Sequence, residues 1–169
     1  YISNRFDATM GRSAAVQVIA VTKSGTNRFA GSVRGNFRDA RLNASDPVLH
    51  RVVPIDNQQL GLTLGGPILK DRLHFFSHYD YEREPKTSIW NTPYPRFNVE
   101  LHGPETIKMG GTRLDYQLSS SMRLMGKFTD AEHWQPFTAG NTSHPAATGS
   151  TLETNREYAA QFTQVVSNR

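Results

Sequence analysis

The sequence predicts an all-β, antiparallel fold of the transmembrane barrel type, and three observations carry that prediction. The dominant hydrophobic period is two, the period of a strand, and no stretch carries a long helical period. Several alternating runs have the roughly 9 to 11 residues that a tilted strand needs to cross hydrocarbon. Short turns alternate with long polar excursions, an asymmetry typical of outer-membrane barrels and uncommon in compact soluble domains.

The elements follow in order. Residues 15–23 are rich in β-branched side chains and close on Ser24, Gly25, Thr26 and Asn27, a turn-forming tetrad. Residues 28–38 alternate, with Phe29, Gly31, Val33, Gly35 and Phe37 on one face and Ala30, Ser32, Arg34, Asn36 and Arg38 on the other. A second strand is expected over 57–65, with Leu60, Leu62 and Leu64 opposite Gln59, Gly61 and Thr63. The Gly65-Gly66-Pro67 step and the charges after it read as a turn spanning 65–72.

A third strand over 72–82 sets Leu73, Phe75, Ser77, Tyr79 and Tyr81 against His74, Phe76, His78, Asp80 and Glu82. A fourth over 112–118 sets Leu114, Tyr116 and Leu118 against Arg113, Asp115 and Gln117. Three serines at 119–121 turn it into a fifth strand over 122–129, and a sixth is expected over 156–166. The long excursions are then 39–56, 83–111 and 130–155. One face apolar and aromatic, the other rich in Arg, Asn, Gln, Asp and His, suits a wall with lipid outside and a wet lumen inside. The alternative from periodicity is a soluble β-sandwich, whose strands also alternate. It would serve as an adhesion or glycan-binding module.

The totals exclude other classes. A mean hydropathy of -0.55 and 37% hydrophobic residues leave no window near the roughly 18 to 20 apolar residues of a spanning helix. The chain of 169 residues has no cysteine, which removes disulfides, thiolate metal sites and cysteine nucleophiles. The formal charge of +4 comes from 19 Lys and Arg that are scattered singly, so nucleic acid is not an expected partner. The start, YISNRFDATMGRS, carries neither an initiator Met nor the pattern of a signal peptide. The expectation is a piece that begins inside a longer, exported chain.

The stretch GRSAAVQVIAVTKSGTNRFAGSVRGNFRDARLNA, followed by NQQLGLTLGGPILKDRLHFFSHYDYERE, resembles the junction of plug and barrel in TonB-dependent outer-membrane receptors, most of all the large Oar-like group. The match runs through Val16 to Asn27 for the last plug strand, Phe29 to Ala44 for the first barrel strand, and Gly65 to Arg83 for the first hairpin, with His74 at one aromatic position. The resemblance implies that 1–27 ends the plug and that 28–169 begins the barrel. It also implies an internal fragment of a transporter that takes up a large or scarce ligand, such as a siderophore, glycan or peptide. The implied partners are outer-membrane lipid, an extracellular small ligand, and the TonB complex acting through N-terminal regions outside this chain. Six strands cannot close a barrel, which needs about eight or more.

Candidate functional residues are few. His133, Trp134, Phe137 and His144 fall in the 130–155 excursion, where aromatic and polar groups together can stack on a sugar or a siderophore ring. Arg34, Asn36 and Arg38 face the expected lumen, where the resemblance implies contacts to the plug. His74 and His78 share a face, but four residues of strand separate them by about 13 Å, too far to hold one metal ion. No Gly-x-Ser-x-Gly, His-Glu-x-x-His or phosphate-loop motif is present, so neither an enzyme nor a cofactor is expected.

Overall fold

The structure, a computed structural model, describes residues 2–3, 16–17, 22–48, 50–52, 56–137, 144, 147 and 149–166. A short antiparallel ladder joins β1 (Ile2–Ser3) to β2 (Val16–Gln17). The remaining strands form one antiparallel sheet in chain order: β3 (Ala30–Asp39), β4 (Asp56–Leu69), β5 (Leu73–Trp90), β6 (Val99–Ser119), β7 (Met122–Gln135) and β8 (Thr151–Gln164). The sheet does not close, and the other sheet among the described residues is the two-stranded β1–β2 ladder, too small to form a second layer. The soluble sandwich is therefore corrected, because it requires two layers enclosing a core. No hydrophobic residue is buried among the described ones.

Register places the predicted faces as the alternation requires. Val33 pairs with Leu62, and Leu62 with Tyr79. Phe75 pairs with Leu114, Tyr116 with Leu124, and Leu124 with Phe162. This apolar face is open: Val33 is 78% exposed, Phe37 75% and Tyr158 75%. Ser77 and Thr112 sit within it and satisfy each other through hydroxyls 3.0 Å apart.

A row of cross-strand ion pairs ends the apolar face on the side away from the tight turns. Arg83 reaches Asp56 at 3.3 Å, Lys108 reaches Glu132 at 2.9 Å, and Arg156 reaches Asp130 at 2.8 Å. Below that row, 73–81 on β5 gives about 30 Å of strand, which at a tilt near 40° covers about 23 Å. That height is close to the roughly 25 Å apolar band of outer-membrane barrels.

Three expectations about the connections are corrected. The excursion 83–111 is mostly sheet, since β5 runs on to Trp90, β6 starts at Val99, and only 91–98 connects them. Above the ion pairs polar residues stand on both faces, so the strands lose their hydrophobic period while keeping their pairing from Arg83↔Thr106 to Trp90↔Val99. For the same reason β7 continues to Gln135 and β8 begins at Thr151, leaving 136–150 as the connection where 130–155 was expected. The Gly65-Gly66-Pro67 step lies inside β4 and not in a turn. The ladder shifts between Pro67 and Leu69, an irregularity that accommodates a residue without an N–H. The turn itself is Lys70-Asp71-Arg72, with Asp71 at φ 61°.

The two faces should respond differently to charge. In the intact protein refolded into lipid vesicles, Leu64→Arg on the apolar face is expected to cost about 2 to 4 kcal/mol, and Thr63→Arg on the opposite face less than about 1 kcal/mol. Denaturant titration measures both. Equal costs would contradict the assignment of the faces.

Candidate functional site

The polar face carries the functional groups, and alternation along each strand puts them there. At its base lies a strap, residues 22–27, running to the start of β3. Arg113 of β6 donates from Nη1 to the Thr22 carbonyl at 2.8 Å and to Thr22 Oγ1 at 2.6 Å. Its other nitrogens form a two-pronged pair with Asp115, at 2.8 Å from Nε and 2.9 Å from Nη2. Arg123 of β7 adds a 2.7 Å bond to the same carboxylate. Asp115 is 4% exposed and so holds its charge only because two guanidiniums surround it.

The far end of the strap is fastened to the β4–β5 turn. Asn27 Nδ2 donates to Asp71 Oδ1 at 2.5 Å, while Asn27 Oδ1 accepts from the Asp71 N–H at 2.8 Å and from His74 Nε2 at 2.7 Å. Between these ends, Gly25 lies so close to the β5 backbone that an added Cβ would overlap the Phe75 carbonyl. Glycine is required there by contact and not by dihedral angle. A cavity of about 190 Å³ beside the strap is lined by Thr22, Lys23, Phe76, His78, Arg113 and Thr129, among others. The Thr129 hydroxyl is buried without a hydrogen-bond partner.

Higher on the same face, Arg34 reaches Asp80 at 3.4 Å, and Asn36 donates to Gln59 at 3.1 Å. Gln59 in turn donates to Glu82 at 2.6 Å. Arg38 stands on this face opposite Asn57. The Arg34 side chain is 79% exposed, so its pair with Asp80 stabilises the sheet by no more than about 1 kcal/mol and can exchange partners.

Above the ion-pair row, Glu105 gathers three strands. Lys86 of β5 reaches it at 2.9 Å, and His133 and Gln135 of β7 donate to it at 2.6 and 2.7 Å. Burial pushes its carboxyl up, but the bonds from Lys86, Gln135 and His133 outweigh that and bring it down to about 2. Near the hairpin tip, His144 lies edge-on to Trp90 and Phe97, with ring centroids 6.1 and 6.4 Å away, and donates to the Phe97 carbonyl at 3.0 Å. Phe137 and Pro136 pack over Gly103, where a Cβ would stand about 3.1 to 3.2 Å from both.

The four residues singled out for ligand contact are thus divided. Phe137 and His144 both lie against the β5–β6 hairpin. His133 and Trp134 are on strand β7, not in a loop, and alternation turns them to opposite faces. Trp134 pairs with Thr106 and Leu152 on the continuation of the apolar face. Sequence reasoning missed Arg113, Asp115, Arg123 and Asp71 as partners of the strap. The one local signal was Arg113-x-Asp115, opposite charges two apart on one strand face.

The family described as "Outer membrane beta barrel domain" matches residues 21–103. The chain is also 31% identical over 172 aligned residues to the TonB-dependent transporter Oar of Myxococcus xanthus. That alignment covers 88% of this chain and 16% of the relative, so the chain spans 16% of the length of the protein it matches. No solved structure matches it significantly. Residues 21–103 are therefore similar to an outer-membrane β-barrel domain and the chain is similar to a TonB-dependent transporter, and both likenesses indicate the bacterial outer membrane.

The Glu105 cluster has a signed pH dependence. Its carboxyl lies below the ordinary glutamate value of 4.5 when folded. Its contribution is therefore complete above that value and is lost as pH falls from about 4.5 through about 2. Carboxyl-carbon NMR of the intact protein should show Glu105 titrating near 2, and Gln135→Ala should raise that midpoint. An unshifted midpoint in the unaltered protein would contradict the cluster.

Proposed function

We propose that this outer-membrane β-barrel chain is the plug-to-barrel junction of a TonB-dependent transporter of the Oar-like group. In this reading residues 1–27 close the plug and residues 28–169 form the first strands of the barrel wall. The whole receptor takes up a large or scarce ligand, with the TonB complex acting through its N-terminal region. The observation that carries the reading is the strap: a plug-end motif, Thr22 to Asn27, bound at both ends to the polar face of a sheet whose other face is apolar. A segment that passes from the lumen into the wall needs that arrangement.

The polar face then lines the lumen. Arg34, Asn36 and Arg38 are proposed to meet the plug, and the exposure of Arg34 supports a contact that forms and breaks without a large desolvation cost. Phe137 and His144 are the proposed ligand contacts at the extracellular end, beside Trp90 and Phe97, where the flat rings can stack on a sugar or siderophore ring. His133 contributes through Glu105, and Trp134 through the opposite face of the rim. Transport of this kind asks no covalent chemistry of the chain.

The test uses cells bearing the intact protein, with and without a functional TonB complex. A panel of ferric siderophores, oligosaccharides and peptides is offered and cell-associated ligand is counted. Accumulation of at least one class only when both receptor and TonB complex are present is the expected result. Accumulation that ignores the TonB complex, or none across the panel, would overturn the proposal.

A further inference from the structure

We infer that residues 22–27 are a fixed clasp on the barrel wall, at which displacement of the chain ahead of Thr22 stops, with Arg113 holding the clasp and Asp115 and Arg123 positioning Arg113. The inference rests on the proposed assignment of residues 1–27 to the plug.

Three independent contacts carry it. At the leading end, Arg113 grips the Thr22 carbonyl and hydroxyl together, so the bond holds main chain as well as side chain. The guanidinium cannot follow a pulled Thr22 far, because both its remaining nitrogens are committed to Asp115. Asp115 is itself 4% exposed and tied to Arg123 on the neighbouring strand. A load on Thr22 therefore passes into two adjacent strands, β6 and β7.

In the middle, Gly25 sits flat on the Phe75 backbone, 3.7 Å from the position a Cβ on Gly65 would occupy. At the trailing end, Asn27 makes three bonds to Asp71 and His74. Beyond it, Phe29 packs on Phe75 with ring centroids 6.3 Å apart, and β3 then pairs with β4 from Ala30 to Asp39. Each successive attachment must break before the next carries load. The chain can yield before Thr22, then at Thr22, and then at Asn27.

The geometry predicts lengths as well as strengths. The intact protein, reconstituted in a supported lipid bilayer, is pulled from its N-terminus by single-molecule force spectroscopy. The unaltered protein should show a rupture at the length that places the stop at Thr22. Arg113→Ala should remove that rupture and move the stop to Asn27, about 17 Å further along an extended chain. Two milder variants separate this from misfolding: Arg123→Gln and Thr22→Val should lower the rupture force while leaving its length unchanged. Heat-modifiable gel mobility confirms that each variant is folded. The same stop in Arg113→Ala and the unaltered protein would overturn the inference. Failure of the transport reading would appear instead as absent TonB-dependent uptake with the clasp rupture intact.

Discussion

A sheet one layer thick, apolar on one face and without a core, is the constraint on which everything else in this chain depends. In water such a sheet would leave Val33, Leu62, Tyr79, Leu114 and Phe162 hydrated with nothing to bury them. Hydrocarbon removes that cost without a second layer. It also sets the dimension of the wall, because the apolar run on each strand must match the thickness of the membrane. The cross-strand ion pairs of Arg83, Lys108 and Arg156 mark where that requirement ends. Beyond them the strands no longer need an unbroken apolar face, and polar residues interrupt it while Ile89, Trp134 and Leu152 remain on it.

The opposite face solves a different problem. Its polar groups must be satisfied while leaving room for whatever fills the lumen. Most do so by short cross-strand pairs that water can replace, such as Asn36 with Gln59 and Arg34 with Asp80. The exception is the base, where Asp115 is removed from water and held by two arginines. Removing one partner from a buried pair costs about 3 to 5 kcal/mol, against about 0 to 1 for an exposed one. The wall therefore has its firmest polar attachment where the strap joins it.

Much of this was legible in the sequence because alternation is a local property. The pairs Val33 with Leu62 and Tyr79 follow once each strand's apolar face is known. Beyond the ion-pair row the signal failed, because Arg83 to Trp90 and Val99 to Ile107 mix polar and apolar residues on both faces without a clean period of two, and look like loop while forming continuous ladder. Gly65-Gly66-Pro67 misled for a related reason: turn residues inside a strand are readable only when the partner strand is known to tolerate a register shift. His133 and Trp134, adjacent in sequence, were grouped as one candidate site although a strand must separate them. The strap's partners were hidden by distance, since Thr22 and Arg113 are 91 residues apart and only the sheet order brings them together.

The central claim is that lipid covers the apolar face up to the ion-pair row and water covers the other. The chain has no cysteine, so single cysteines introduced along β5 from Leu73 to Trp90 can carry spin labels without background from it. In the intact protein in lipid bilayers, collision with oxygen and with a water-soluble nickel complex is measured at each position. Oxygen access should alternate with a period of two, high at Phe75, Ser77 and Tyr79, and the alternation should vanish beyond Arg83. Nickel access that is high at every position from Leu73 to Tyr81, with no alternation, would contradict the account.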